Sequence, residues 1–364
     1  MNDVLDNPLG LNGFEFVELT SPEPARMIQT LERLGFTAVA THPTKDVVRY
    51  KQGRINILVN REPTGQAADF RLAHGPSANG MAFRVADAKR SFAMALERGG
   101  RAADASKGAL GPDSCVLEGI GGSLLYLVDD RGDSGLYDSW TKIPGADEAE
   151  KKNSVGLDLL DHLTHNVRRG EMRTWSGFYN RLFGFVEQKY FDIKGQATGL
   201  FSQAMIAPDK AIRIPLNESQ DENSQIEEFI RQYKGEGIQH LALTTEDIFA
   251  TIEKLRTNGV IFQDTPETYY ELVDKRVGKH GEDLERLRKN RILIDGSEQE
   301  GFLLQIFTEN LFGPIFFEVI QRKGNEGFGN GNFQALFESI ELDQIRRGVV
   351  QVAASGKPAP SAST

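Results

Sequence analysis

Three short apolar stretches each carry a residue that an apolar strand does not readily hold. Glu318 lies in Phe316-Phe317-Glu318-Val319-Ile320, where alternation puts Phe316, Glu318 and Ile320 on one face of a strand. His162 lies in Leu160-Asp161-His162-Leu163-Thr164, and His240 in Ile238-Gln239-His240-Leu241-Ala242. A carboxylate inside an apolar strand is costly unless something compensates it. Two histidines and one carboxylate, each on its own strand, make the ligand set of a non-haem Fe(II) oxygenase with coordination positions left open. Any one of them alone reads more naturally as a satisfied core polar group. The three together, with the motifs below, read as a metal site.

Elements must bring these residues together, and the chain repeats one element pattern four times. Each copy is a short strand, an amphipathic helix, and a turn into further strands. The first runs from Phe14–Leu19 through a helix at Pro24–Arg33, and the second from Met81–Val85 through Ala88–Glu97. The third runs from Asp161–Asn166 through Met172–Asn180, and the fourth from Gln239–Thr244 through Ile248–Thr257. Glycine follows each helix, where a left-handed cap is expected. One βαβββ unit cannot bury its sheet face alone, so the units are expected to pair into two open barrels. The fold class is therefore α+β. We expect an N-terminal barrel over residues 1–150 and a C-terminal one over 151–352. The boundary falls in the polar stretch Asp133–Asn153. A tail over 353–364, rich in Ala, Ser and Pro, is expected to be disordered.

Aligning the first strands sets Glu15 and Ala82 opposite His162 and His240, and aligning the last strands sets Tyr126 opposite Glu318. On this reading only the C-terminal barrel is catalytic. His165 is three residues from His162, so strand parity turns it to the other face, at the surface or behind the ligands. His42, His74 and His280 sit in turn-like or charged contexts and read as solvated.

Composition agrees with an ordinary soluble protein. At 364 residues two domains are the natural prior, and 39% hydrophobic with 26% charged residues is ordinary for a soluble chain. A net charge of −10 argues against nucleic acid or an anionic membrane as partner. The single cysteine, Cys115, excludes an internal disulfide, points to a reducing compartment and reads as a small buried hydrophobe. The opening MNDVLDNPLG lacks the basic and apolar regions of a signal peptide, and no run approaches the roughly 20 apolar residues of a membrane span. We expect a cytoplasmic protein and a homo-oligomer, dimer or tetramer.

Longer stretches sharpen the reading. They are Gly237-Ile238-Gln239-His240-Leu241-Ala242, Leu303-Leu304-Gln305-Ile306-Phe307-Thr308, Phe316-Phe317-Glu318-Val319-Ile320-Gln321-Arg322 and Gly327-Phe328-Gly329-Asn330-Gly331-Asn332-Phe333. With Leu160-Asp161-His162, and in this order, they resemble the 4-hydroxyphenylpyruvate dioxygenase family of the vicinal oxygen chelate superfamily, in its bacterial form. The resemblance covers nearly the whole chain. It implies four vicinal-oxygen-chelate modules and Fe(II) on His162, His240 and Glu318. It also implies a substrate pocket. Ser202, Pro215 and Asn217 match the family's pocket serine, proline and asparagine, and Gln225, Gln239 and Gln305 match three glutamines. Phe307, Phe316, Phe328, Asn332 and Phe333 match its walls and lid. Strand parity alone turns Gln239 away from His240.

The resemblance implies conversion of 4-hydroxyphenylpyruvate and O2 to homogentisate and CO2, in tyrosine and phenylalanine catabolism. Three protein ligands suffice, because a 2-oxo acid chelates iron through its carboxylate and keto oxygens and leaves a position for O2. Its own decarboxylation supplies two electrons, so no further reductant is needed. A sister activity, 4-hydroxymandelate synthase, shares substrate, iron and scaffold but hydroxylates the benzylic carbon; Pro215, Asn217 and Phe333 favour ring attack. A non-catalytic ligand-sequestering protein of the same fold has no use for an open iron site. Extradiol ring cleavage fits the ligand types but not the glycine-rich motif or the glutamines. Phe333, Leu336, Phe337 and Ile340 recur as the apolar stripe of a helix with Asn332 as N-cap. With Gly327, Gly329 and Gly331 as hinges, this helix is expected to close over the site.

Overall fold

The structure is a computed structural model that describes residues 6–130, 135–194, 199–222, 224–329 and 331–333. Leu336, Phe337, Ile340 and the 353–364 tail lie outside the described residues.

The first half builds one eight-stranded sheet from β1 (Phe14–Thr20), β2 (Thr37–Thr41), β3 (Val47–Gln52), β4 (Ile55–Asn60), β5 (Ser77–Val85), β6 (Cys115–Glu118), β7 (Leu124–Asp129) and β8 (Thr141–Lys142), in the order β6-β7-β5-β1-β4-β3-β2-β8. The second half builds another from β9 (Leu157–Val167), β10 (Val186–Lys194), β11 (Gly199–Ile206), β12 (Arg213–Ser219), β13 (Gly237–Thr245), β14 (Leu293–Ser297), β15 (Gly301–Phe307) and β16 (Phe316–Lys323). Its order is β10-β11-β12-β9-β13-β16-β15-β14. The two halves repeat one pairing scheme: β1 lies parallel to β4 and antiparallel to β5, as β9 does to β12 and β13. Each sheet curls into an open half-barrel.

The repeat helices are α1 (Pro24–Arg33), α3 (Ala88–Glu97), α5 (Met172–Phe183) and α7 (Ile248–Thr257). Their ends follow from sequence. Pro24 opens α1, where its missing N–H costs nothing. Asp87 and Asp247 cap α3 and α7 by accepting from Arg90 N and Ala250 N. Gly184 ends α5 in the left-handed region, at φ 75°. Among the described residues five further helices lie outside the four units read from sequence: α2 (Gln66–His74), α4 (Ala146–Asn153), α6 (Gln225–Tyr233), α8 (Glu267–Val277) and α9 (Leu284–Asn290), of which α2 and α6 take matching places before β5 and β13. Among the described residues no helix is long and apolar enough to cross a membrane.

The helix-covered faces of both sheets share one core. Phe83 of β5 meets Phe183 and Phe185 at ring distances of 5.4 and 6.0 Å. This core takes up residues that read as surface. His165 is fully buried, with Nε2 2.8 Å from the Tyr179 hydroxyl of α5. His74 stacks on Tyr233 of α6 at 4.7 Å, with Nδ1 2.6 Å from its carbonyl oxygen, and so joins the two halves. His280 is buried against Asp274, and His42 is half-buried against Trp140. Local charge and turn formers mark where a segment lies in sequence but not what later packs on it. Cys115 is half-buried at the edge of the core, and burial pushes its thiol up.

The inner face of the first barrel is filled. Phe16 packs on Tyr126 at 5.2 Å, and the Tyr126 hydroxyl donates to buried Glu18 at 2.7 Å. Glu18 also accepts from Asn60 and Asn79.

Candidate metal centre

β9, β13 and β16 are neighbours, and their register decides which side chains meet. Ala242 lies beside both His162 and Glu318, and His240 lies beside Phe316. All three candidate ligands are buried, and one ligand atom from each lies within 4.8 Å of the others. His162 Nε2 and His240 Nε2 lie 3.2 and 3.5 Å from Glu318 Oε2. The same rows in the first barrel run Phe16, Ala82, Tyr126, with Gly80 beside Leu124. The positions matching the ligands are therefore Phe16, Gly80 and Tyr126, not Glu15, Ala82 and Tyr126. Sequence alignment set the first strands one residue out and the second strands two residues out; the same irregularity, Phe14/Phe16 in β1 and Leu160/His162 in β9, recurs in both barrels.

The far ring nitrogens are committed elsewhere. His162 Nδ1 lies 2.8 Å from Asp161 Oδ2, and His240 Nδ1 lies 3.0 Å from Gln239 Oε1. A carboxylate and an amide oxygen only accept, so both Nδ1 atoms carry the proton and both Nε2 lone pairs face the centre. Parity had turned Gln239 away from His240, but its side chain reaches back along the strand.

Electrostatics show what the centre wants. Burial alone would raise the Glu318 carboxyl, yet the positive field of the neighbouring His162 and His240 pulls it down to about 2. Burial alone would lower His162, but Glu318 and Asp161 raise it, while burial lowers His240. The site thus favours a cation between two buried imidazoles and a carboxylate. The donor set, its burial and its fixed tautomers fit a divalent transition metal.

Aromatic walls surround the triad. Phe316 stacks on the His240 ring at 4.6 Å, Phe307 lies 6.5 Å from it, and Phe328 meets the His162 ring edge-on at 5.3 Å. Gln305 is buried and accepts from Asn332 Nδ2 at 3.1 Å. Asn332 accepts in turn from Tyr269 Oη at 2.6 Å and Arg276 Nη2 at 3.2 Å. Phe333 is half-buried at the end of the described chain. The ladders set Ser202 beside Asn217, Asn217 beside Asn166, and Ala204 beside Pro215. Alternation along β9 and β12 puts Asn166, Asn217 and Pro215 on the His162 face. Gln225 stands apart from these walls by position, exposed at the first turn of α6.

Four residues escaped sequence reasoning. Asp161 and Arg322 pair through two hydrogen bonds of 2.8 Å, and Arg213 Nη1 approaches Asp161 at 3.6 Å. Asn166 is fully buried with neither amide atom hydrogen-bonded. A carboxylate next to a ligand histidine was a readable signal for Asp161. Arg322 shares the Glu318 face by parity. Nothing in the sequence marked Arg213 or Asn166.

Comparison with known proteins places this geometry. Residues 5–140 match the family model described as hydroxyphenylpyruvate dioxygenase, N-terminal, and residues 159–272 match the glyoxalase/bleomycin resistance protein/dioxygenase superfamily. A 4-hydroxyphenylpyruvate dioxygenase of Pseudomonas aeruginosa is 58% identical over 94% of this chain and 97% of its own length. Hemolysin VllY of Vibrio vulnificus is 54% identical over 94% of this chain and 98% of its own. Among solved structures, a mutant of 4-hydroxymandelate synthase from Streptomyces coelicolor superposes with a TM-score of 0.78 at 26% identity, covering 92% of this chain and 99% of that one. With identity above half across nearly the full length of both chains, this chain belongs to the 4-hydroxyphenylpyruvate dioxygenase family of the vicinal oxygen chelate superfamily.

Proposed function

We propose that the chain converts 4-hydroxyphenylpyruvate and O2 to homogentisate and CO2, with Fe(II) held by His162, His240 and Glu318. The observation that carries this reading is the buried convergence of those three side chains in the second barrel, in a chain with dioxygenase relatives along its full length. Residues 1–150 serve as the non-catalytic barrel and 151–352 as the catalytic one. In the first barrel Phe16, Gly80 and Tyr126 stand at the ligand positions, and none of them is a histidine or a carboxylate. We place the protein in the cytoplasm, as a dimer or tetramer.

When bound, Fe(II) supplies a Lewis-acidic, redox-active centre with open positions for a 2-oxo acid and O2. The chain does the rest. Asp161 and Gln239 hold the Nδ1 protons and so aim both Nε2 atoms inward. Glu318 would hold the metal with His162 and His240 and would offset one of its positive charges. Phe307, Phe316 and Phe328 flank the ring of the substrate and exclude water from the reacting atoms. Asn166 lies four strand steps from His162, about 13 Å at ~3.3 Å each. The Ser202, Asn217 and Asn166 row thus suits the phenol end of a substrate whose 2-oxo acid sits at the metal. Gln305, held by Asn332, lines the side nearest the glycine-rich segment, and Pro215 flanks the row. Gln225 and Phe333 belong to the pocket by family resemblance.

The test is anaerobic addition of Fe(II) and 4-hydroxyphenylpyruvate, then O2, with product analysis. Homogentisate and CO2 in equal amounts support the reading. Hydroxymandelate would shift it to the sister activity, and ligand binding without O2 uptake would overturn the enzyme reading altogether.

A further inference from the structure

We propose that Asp161 and Arg322 are positioning residues that fix the His162 ring and join it to the segment covering the site, so that metal binding and covering are coupled. The inference rests on the triad being the metal site. Asp161 is buried and stands between three partners. Its Oδ2 takes the His162 Nδ1 proton at 2.8 Å. Both its oxygens take Arg322, Nε on Oδ1 and Nη2 on Oδ2, each at 2.8 Å. Arg213 approaches from a third side at 3.6 Å.

Both arginines also hold one short stretch of chain. Arg322 Nη1 donates to the carbonyls of Asn325 at 2.9 Å and Gly327 at 2.7 Å. Arg213 Nη2 donates to the Glu326 carboxylate. The next residue, Phe328, lays its ring against His162 and lies 5.9 Å from the Arg322 guanidinium. One guanidinium therefore spans a ligand's carboxylate partner and the backbone that carries the aromatic cover. A planar fork can hold both carboxylate oxygens and two carbonyls at once in fixed directions, four acceptors for which an ammonium has only three donors. A bound metal that fixes His162 fixes Asp161, then Arg322, then residues 325–328. By linkage the same contacts run in reverse. Hydrogen-bond partners of metal-bound histidines typically change metal affinity about 10- to 100-fold when removed.

The experiment uses the full chain as apoprotein with Co(II) as probe, read by its visible absorption and by hydrogen exchange of amides 324–329. In the wild type, Co(II) should slow exchange there about five-fold or more. R322M should bind Co(II) about 10- to 100-fold more weakly and lose the slowing, and R322K should recover only part of the affinity. D161N, which keeps one acceptor oxygen for His162, should show a smaller loss in both and a shifted absorption band. Should R322M fail to fold, D161N and the wild-type exchange still decide the matter. Wild-type exchange that ignores Co(II), or an R322M chain that binds and slows as the wild type does, overturns the proposal. If wild type and H240A bind Co(II) equally weakly, the metal reading itself has failed instead.

Discussion

Gly329 offers a direct test of how closely the cover is fitted to the site. Its φ of +74° is in the left-handed region, where a side chain costs about 1–2 kcal/mol. A Cβ there would overlap Gln305 Oε1 and lie 2.6 Å from its Cδ. Gln305 has little room to yield, because it is 3% exposed and bonded to Asn332, which is itself held by Tyr269 and Arg276. Gly329→Ala must therefore shift the glutamine or the backbone carrying Phe328 by roughly 1 Å. A 1 Å misplacement near reacting groups costs about a hundred-fold in rate. The strain and overlap together should cost about 2–4 kcal/mol of stability, small enough to keep the fold. Gly329 touches no ligand, so Co(II) should still bind the variant, weakened by about five-fold at most through the coupling of the cover to the site. Homogentisate formation and O2 uptake are measured together: kcat should fall about a hundred-fold, with more O2 consumed than homogentisate formed. A kcat within about three-fold of wild type, with one homogentisate per O2, would refute the fitted-cover argument.

The remaining predictions concern the ligands, a buried histidine and an orphaned amide. His162→Ala, His240→Ala and Glu318→Ala should each abolish turnover and strip the metal as judged by elemental analysis, whereas His165→Ala should keep its metal; a metal-loaded, active His240→Ala chain would overturn the assignment. His165 is held down to about 3 by burial, so it folds neutral while the unfolded chain protonates below about 6.5. Its stabilisation is complete above about pH 6.5 and declines toward pH 3, with roughly 2 kcal/mol lost by pH 5. His165→Gln, which can still bond Tyr179, should therefore lose less stability than wild type between pH 7.5 and 5 by about that amount in urea unfolding; parallel pH profiles would contradict it. Asn166→Ala should raise KM for 4-hydroxyphenylpyruvate about ten-fold, the worth of one hydrogen bond, and leave KM for phenylpyruvate, which lacks the phenol, nearly unchanged. Equal changes for both substrates would remove Asn166 from phenol recognition.

The residues most legible in sequence were those whose type clashes with their immediate surroundings. Glu318, His162 and His240 each interrupt an apolar strand, and alternation alone told which neighbours share their face. The four strand-helix starts were equally plain, because helix periodicity and a following glycine are local signals. Legibility ended where a residue's meaning depended on a partner far along the chain. His74 looks solvated until α6 arrives with Tyr233. His165 looks peripheral until Tyr179 covers it. Gln239 defeated strand parity because a long side chain can double back to its neighbour's ring.

The repeat, the apolar faces and the chemical type of the three candidate ligands were readable in the chain, since each follows from residues within a few positions of one another. Strand register, in contrast, emerged only once the strands were paired. Cross-strand pairing puts Phe16 and Gly80, not Glu15 and Ala82, at the silent positions of the first barrel, and that pairing is not written in either strand alone. Cross-strand packing also fixed that Arg322 and Arg213 tie Asp161 to residues 325–328, and that Asn166 is buried without a partner. Asp161 and Arg322 lie 161 residues apart, and no local pattern encodes a hydrogen bond across that separation.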